Sequence, residues 1–296
     1  MTAYRCATAA MERQEPIFAT ASRVDRWLLA EHSGAWSAEA VPRFRWDGAV
    51  VAALEQLAER AGARLVLIRR PGGRPAAGRR LYFADSRPGQ ERLLQQSAER
   101  DDQLLSLTLP GVAPGEGWAA GPERLLLVCT HGRHDPCCAI WGRPVALALA
   151  GRYPAETWEC THIGGDRFAP NLVVLPKGYY FGRVPPAEAA GIVSSLEHGR
   201  LVTRYMRGRS SLSPVAQAAQ YFARSALGND SAADLAPLGS QRLDQRSWLV
   251  RLRLVGHGEL AVSVRRVLQP EAHRLTCHAD SLRESPAYEL IDLSTG

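Results

Sequence analysis

Four of the six cysteines in this 296-residue chain lie in one short stretch, between residues 129 and 171. The stretch also carries three of the eight histidines and two copies of the tripeptide Cys-Thr-His, at 129–131 and 160–162. Thiolate and imidazole together suit Zn²⁺ or an iron–sulfur cluster better than they suit hard, oxygen-seeking cations. The residue types therefore predict a soft-metal site in this stretch.

The first half of the stretch predicts a strand followed by a helix. An apolar run at 125–128 is typical of a buried strand, and Cys129 lies at its end. Asp135 followed by proline indicates a helix start, so Cys137 and Cys138 lie in the first turn. Free N–H groups and the helix dipole favour a thiolate or an anionic cluster there. Over residues 139–152, the side chains expected to face inward are Ile140, Val145, Leu147 and Leu149.

The second half of the stretch, and the residues after it, complete a recognisable order of elements. They are a strand at 156–160, a glycine-rich turn at 162–166, a hairpin of strands 171–176 and 179–184, and an amphipathic helix at 185–199. Strand, helix, strand, strand, strand, helix is the thioredoxin topology. In that topology the two cysteine-bearing loops meet at one end of the sheet.

Two motifs stand out: Cys129-x-His131 with Asp135 and Cys138, and the box His162-Ile163-Gly164-Gly165-Asp166-Arg167-Phe168-Ala169-x-Asn171. They resemble the motifs of the sucrase/ferredoxin-like family, which is related to the thioredoxin-like [2Fe–2S] ferredoxins. The resemblance extends from Arg5-Cys6 to Leu275-Thr276-Cys277. The resemblance implies one [2Fe–2S] cluster, held by two cysteines separated by eight residues and by ligands from the second loop.

The resemblance carries three ligands over to this chain. Cys129 and Cys138 match the cysteine pair, and His162 matches the first ligand of the second loop. In the fungal and plant branch the second loop reads His-x₃-His. Here Asp166 stands at the second histidine position, so the fourth ligand is open.

Cys160 is the preferred fourth ligand. Thiolate is the usual ligand of cluster iron, and Cys160 and His162, two residues apart at a strand end, point to the same face. Asp166 is the next candidate, followed by Cys137, whose side chain diverges by about 100° from that of Cys138 on a helix. The residues expected to hydrogen-bond to the ligands are His131, Asp135 and Arg167. Cys6 and Cys277 are interpreted as inert buried side chains.

The sequence predicts three regions along the chain, the middle one containing these motifs. Residues 1–120 are expected to form an α/β domain that could be a degenerate thioredoxin-like copy without ligands, residues 121–200 the thioredoxin-like [2Fe–2S] ferredoxin domain, and residues 201–296 a C-terminal extension with a helix and a β-hairpin. Within the extension, the sequence predicts an arginine-rich loop at 205–213, a helix at 214–227, a hairpin of strands 248–255 and 259–267 with its turn at Gly256-His257-Gly258, and a final strand at 288–293. A Gly- and Pro-rich segment at 110–122 is the expected linker. The fold class is therefore α/β with an α+β extension.

Composition narrows the class of protein and of partner. Apolar content of 46% and charged content of 22% are those of a soluble globular protein, without a membrane-spanning segment or signal peptide. Few, clustered cysteines fit a reducing compartment, so we expect a cytoplasmic protein. The net charge is +6, and the positive charge comes almost entirely from arginine, since Lys177 is the only lysine. A basic surface favours an acidic redox partner, a reductase or an acceptor, over nucleic acid. The sequence does not indicate the oligomeric state.

These observations favour an electron carrier with one [2Fe–2S] cluster and mixed cysteine and histidine ligation. Ligation by His162 further predicts that reduction is coupled to a proton. The alternatives are a zinc-binding protein and a thiol–disulfide redox protein, although the Cys-x-x-Cys active site of the latter is missing. A hydrolase is disfavoured because the sequence offers no recognisable pair of catalytic carboxylates.

Overall fold

A computed structural model of the chain describes residues 3–38, 47–73, 78–108, 117–256 and 258–295. Most of the predicted linker at 110–122 and the predicted turn residue His257 lie outside these ranges. The helices are α1 (Cys6–Glu12), α2 (Gly48–Ala61), α3 (Pro136–Arg152), α4 (Pro186–Glu197) and α5 (Pro214–Leu227). Among the described residues, no helix combines the length and the apolar character needed to cross a bilayer.

Ten strands form one continuous sheet. They are β1 (Arg26–Glu31), β2 (Ala63–Arg69), β3 (Arg79–Asp85), β4 (Arg92–Ala98), β5 (Ala119–Ala120), β6 (Leu125–Cys129), β7 (Thr157–Cys160), β8 (Leu172–Leu175), β9 (Tyr179–Phe181) and β10 (Met206–Arg209). Their spatial order is β10-β9-β8-β6-β7-β2-β1-β3-β4-β5. The predicted boundary near residue 120 therefore falls within a shared sheet.

The two halves of this sheet repeat the same connectivity. In the first half β1 is parallel to β2 and antiparallel to β3, and α2 connects β1 to β2. In the second half β6 is parallel to β7 and antiparallel to β8, and α3 connects β6 to β7. The halves join where β2 and β7 run antiparallel. The predicted α/β class is confirmed, and both halves have the thioredoxin-like order of strands.

The core of the sheet is shared between the halves. On one face α2 covers the first half, while α3 and α4 cover the second. On the other face a single cluster combines side chains from both halves, including the fully buried Trp27, Trp158 and Tyr180. The large buried side chains of the two halves therefore depend on each other for their burial.

The inward face of α3 differs from the prediction. Val145 and Leu149 are buried as expected, but Ile140 and Leu147 are 47% and 58% exposed. The buried face continues instead through Gly142 and the two cysteines of the first turn. Ile140 and Leu147 are seven residues apart and share the opposite face, so the predicted stripe mixed two sides of the helix.

The C-terminal region forms a second sheet packed on α5. Its strands are β11 (Ala236–Arg242), β12 (Ser247–Leu254), β13 (Gly258–Leu268) and β14 (Pro286–Thr295), in sequence order and antiparallel. The predicted helix at 214–227, the hairpin and the final strand are all present. The segment 205–213 was predicted to be a loop, but it contains β10, which pairs with β9 through a bulge near Arg207. The arginine-rich sequence indicates a loop, but this segment forms a strand in which Arg207 is buried.

Candidate metal centre

Two parallel strand ends bring the first two thiols together. Cys129 ends β6 and Cys160 ends β7, and the two residues are direct partners in the parallel register. Adjacent partners in a sheet point to the same face. Cys129 is 1% exposed and Cys160 is fully buried. The parallel pairing of β6 with β7 therefore brings the two thiols to the same end of the sheet.

The start of α3 supplies the third thiol. Asp135 caps the helix by accepting the backbone N–H of Cys137 at 2.9 Å, and proline occupies the first turn. Cys138 follows in that turn, and its side chain is fully buried in the same core cluster as Cys129 and Cys160. The predicted N-cap thus places Cys138 over the ends of the two strands.

The loop after β7 completes this arrangement. Cys138 Sγ lies 3.1 Å from Asp166 Oδ1, and the same carboxylate oxygen lies 2.9 Å from His162 Nδ1. His134 lies at the outer edge, with Nε2 3.8 Å from Asp166 Oδ2 and its ring 3.9 Å from that of His162 between centroids. We refer to Cys129, Cys138, Cys160, His162 and Asp166 as the Cys129 group. It unites three soft thiols, an imidazole and a carboxylate.

Two glycines determine the shape of the loop that carries His162 and Asp166. Gly164 and Gly165 have φ of 96° and 82°, in the left-handed region that other residues rarely adopt. An added Cβ on Gly165 would also overlap the guanidinium of Arg207. The Gly-Gly pair therefore allows the chain to turn tightly between His162 and Asp166 and to bring both side chains back to the thiols.

Two arginines hold the same loop from behind. Arg64 Nη2 donates to the carbonyl of His162 at 2.7 Å, and Arg207 Nη1 donates to the carbonyl of Gly164 at 2.9 Å and to Asn171 Oδ1 at 2.8 Å. Arg207 is 1% exposed, and burial lowers its pKa to about 10. These positive charges favour an anionic group at the ends of the strands.

The thiols do not share one acidity. Hydrogen bonds from Cys138 and Cys160 hold the pKa of Cys129 well below its usual range. The bond to Cys129, together with burial, raises the pKa of Cys138, and burial together with the bond to Cys129 raises that of Cys160. Burial opposes protonation of His162, but the carboxylate of Asp166 outweighs it and raises the pKa of that imidazole. Of the three thiols in the Cys129 group, Cys129 is therefore the one that ionises first.

The other predicted site residues have separate places. His131 accepts the backbone N–H of His162 on Nδ1 at 3.3 Å, and its Nε2 lies 2.5 Å from the carbonyl of Ser37, so it positions the loop without joining the group. Arg167 pairs with Glu15 at 2.8 Å, away from the thiols. The remaining two, Asp135 and Cys137, belong to a different set of side chains.

The sequence does not predict this second set of side chains. Cys6, Asp135, Cys137 and Cys277 place one donor atom each within 4.8 Å of one another. The sequence predicts inert, buried side chains for Cys6 and Cys277, but their sulfur atoms lie 3.6 Å apart. Two features of the sequence are consistent with this set. The family resemblance extends from Cys6 to Cys277, and the side chains of adjacent cysteines on a helix point in different directions. We refer to these four residues as the Cys6 group.

Comparison with known proteins identifies the family. Residues 17–208 match the family described as Sucrase/ferredoxin-like. The chain belongs to this family. The matched region spans both halves of the ten-stranded sheet and the whole Cys129 group, and it ends before α5. Cys6 and Cys277 lie outside it.

Two curated relatives are similar to this chain over shorter segments. Both are named Altered inheritance of mitochondria protein 32. The protein of Meyerozyma guilliermondii is 30% identical over 97 residues, which are 29% of this chain and 34% of that protein. The protein of Candida glabrata is 29% identical over 102 residues, covering 29% of this chain and 33% of that protein. The chain thus spans about a third of the length of these relatives.

Solved structures show a weaker likeness. The thioredoxin-like [2Fe–2S] ferredoxin from Aquifex aeolicus is 22% identical, with 28% of this chain covering 88% of that chain at a TM-score of 0.25. A cysteine-to-serine variant of the same ferredoxin gives the same identity and TM-score, with 96% of its chain covered.

Proposed function

We propose that this protein is an electron-transfer protein that binds one [2Fe–2S] cluster through the Cys129 group. The observation that supports the proposal is the meeting of three buried thiols, an imidazole and a carboxylate at one sheet edge, with His162 at the rim. Membership of the sucrase/ferredoxin-like family points the same way. Thiolates with histidine are a known ligand set for such clusters.

The donor set fits the cluster in number and in kind. Cys129, Cys138, Cys160 and His162 would supply four ligands, three of them thiolates. In this assignment Asp166 would accept the Nδ1–H of His162, which would leave Nε2 for iron. A carboxylate that accepts the second ring N–H is the usual arrangement for a metal-bound histidine. The 2.9 Å contact therefore favours Cys160 over Asp166 as the fourth ligand.

The rim of the site is the proposed place for electron exchange. The side chains of His162 and His134 are 17% and 30% exposed, whereas the three thiols are buried. Arg133 is exposed beside them. We propose that an acidic redox partner meets this rim, since a positive surface attracts a negative one and shortens the distance for electron transfer.

Anaerobic purification with metal analysis tests the proposed function. We expect about two iron and two acid-labile sulfide ions per chain, a red-brown colour and visible absorption that bleaches on reduction. The matched variants are Cys129→Ser and Cys277→Ser. Cys129→Ser should lose the colour, whereas Cys277→Ser should keep it because Cys277 lies outside the Cys129 group. Zinc bound to the Cys129 group without sulfide would support the alternative of a zinc protein and reject the cluster.

A further inference from the structure

We propose that the Cys6 group binds a single Zn²⁺ ion, through the thiolates of Cys6, Cys137 and Cys277 and the carboxylate of Asp135. The Cys277 sulfur lies 3.5 Å from the Cys137 sulfur and 3.6 Å from the Cys6 sulfur. Cys6 Sγ lies 3.5 Å from Asp135 Oδ2. Zinc–sulfur bonds of about 2.3 Å in a tetrahedral site place neighbouring sulfurs roughly 3.8 Å apart. The four donors are therefore spaced to close on one ion.

The compactness of the group selects one ion over a cluster. All four donor atoms lie within 4.8 Å of one another, so each is close to the other three. A [2Fe–2S] cluster needs its ligands in two pairs, separated by two irons and two sulfides. Three thiolates with one oxygen donor are a ligand set that zinc accepts in its usual tetrahedral geometry.

Backbone N–H groups already point at the donors. The N–H of Cys6 reaches the sulfur of Cys277 at 3.4 Å, and the N–H of Cys277 donates to Asp135 Oδ2 at 2.7 Å. Such bonds stabilise sulfur and oxygen in the negative form that binds metal. The group is therefore organised around negative charge.

The surroundings supply little positive charge to balance it. Asp135 is fully buried, and across the described ranges no Arg, Lys or His forms an ion pair with it. Ala7 and Ala169 pack around Cys6 and Cys137, so the group lies in an apolar shell. A buried carboxylate beside three thiols is costly unless a cation compensates it. A bound Zn²⁺ would supply that charge.

The site would join three distant parts of the chain. Cys6 comes from α1, Asp135 and Cys137 from the start of α3, and Cys277 from the segment between β13 and β14. Tyr4 also donates a hydrogen bond from its hydroxyl to the carbonyl of Arg274 at 2.9 Å, so the N-terminal segment already contacts the segment between β13 and β14 here. Bound zinc would fasten the C-terminal segment to the helix that carries Cys138.

Metal analysis of the full-length protein tests the zinc site independently of the proposed function. After anaerobic expression with added zinc, we expect about one zinc per chain in addition to the iron. Cys277→Ser should weaken zinc binding more than about tenfold in competition with a chromophoric chelator, while it keeps the iron and the visible spectrum. Cys129→Ser should do the reverse.

Cobalt provides a second, spectroscopic readout of the same site. In the Cys129→Ser protein, which should hold no cluster, added Co²⁺ should give strong thiolate charge-transfer absorption and displace one zinc. Adding Cys277→Ser to that protein should remove the absorption. The proposal is overturned if the wild-type protein takes up no zinc, if the Cys6→Ser and Cys277→Ser proteins hold it as tightly as wild type, or if the group contains iron instead.

Discussion

Two adjacent cysteines at the start of α3 face different partners. Cys138 contacts Asp166 in the Cys129 group, and Cys137 contacts Cys277 in the Cys6 group. The cause is helical geometry, because successive side chains are rotated by about 100°. One N-capped turn can therefore serve two metal sites, and the vicinal pair need not act as a dithiol.

Substitution of the fourth-ligand candidates separates their roles. Cys160→Ser should reduce iron to well below two per chain, because a hydroxyl replaces an anionic soft donor. Asp166→Asn should keep the iron, because an amide oxygen can still accept the N–H of His162. Iron and sulfide assays with visible spectra provide the measurement. The reverse result, iron kept without Cys160 and lost without the carboxylate, would make Asp166 the ligand.

His162 predicts a potential that depends on pH. Reduction adds negative charge beside the ring and favours its protonated form, so the pKa of the free ring nitrogen is higher in the reduced protein. Between the two pKa values the midpoint potential should fall by about 59 mV per pH unit, the slope for one proton and one electron. Redox titrations from about pH 5 to 10 measure it.

The Asp166→Asn protein is the control for this slope. The Asp166 carboxylate raises the pKa of His162, so its removal should lower that pKa and move the sloping window to lower pH. His162→Cys should lower the potential and abolish the slope. A potential that is flat with pH in the wild-type protein would contradict ligation by an accessible histidine.

At the level of elements, α3 approaches β6 closely enough to require glycine. A Cβ on Gly142 would overlap the backbone carbonyl oxygen of Cys129. Gly142→Ala should therefore destabilise the fold by on the order of 1–3 kcal/mol in denaturant unfolding, and should lower iron content by displacing the end of β6. Backbone cannot move aside as a flexible side chain can.

Gly191 in α4 provides the matched control. It is exposed in mid-helix, and a Cβ there would meet nothing within 4 Å. Gly191→Ala should therefore stabilise the protein by about 0.5–1 kcal/mol through helix propensity alone. Equal effects of the two substitutions would show that the contact between Gly142 and Cys129 carries no special cost.

Elements with a strong local signal were predictable, and those defined by distant contacts were not. The N-cap at Asp135 and the apolar run before Cys129 predicted α3 and β6 closely. The buried side of α3 was partly wrong because Ile140 and Leu147 are apolar yet exposed. The Cys6 group was missed because its members are up to 271 residues apart, and only the fold brings them together.

Across the whole molecule, the first half of the sheet supports the site in the second. β2 pairs with β7 through Ile68 and Cys160, and Arg69 Nε reaches Glu159 Oε2 at 2.7 Å. Arg64, also on β2, holds the carbonyl of His162. The first half thus fixes the strand that ends in Cys160 and the loop that follows it.

The shared core predicts that the second half of the sheet does not fold alone. A chain of residues 121–211 would keep the thiols of the Cys129 group and both helices of the second half. It would, however, expose the edge of β7 and the face of the sheet that carries Trp158 and Tyr180, which residues of β1, β2 and β3 cover in the full chain. Apolar surface of that extent and an open strand edge promote aggregation.

Expression of the halves separately and together tests this dependence. Residues 121–211 alone should be insoluble, or should unfold without cooperativity and hold little iron. Co-expression with residues 1–120 should restore a soluble complex with iron near the full-chain value, because pairing of β2 with β7 and the common core would re-form between the chains. Gel filtration, thermal unfolding and iron analysis measure the three properties. A second half that is soluble, unfolds cooperatively and carries a full complement of iron by itself would show that the first half is dispensable for the site.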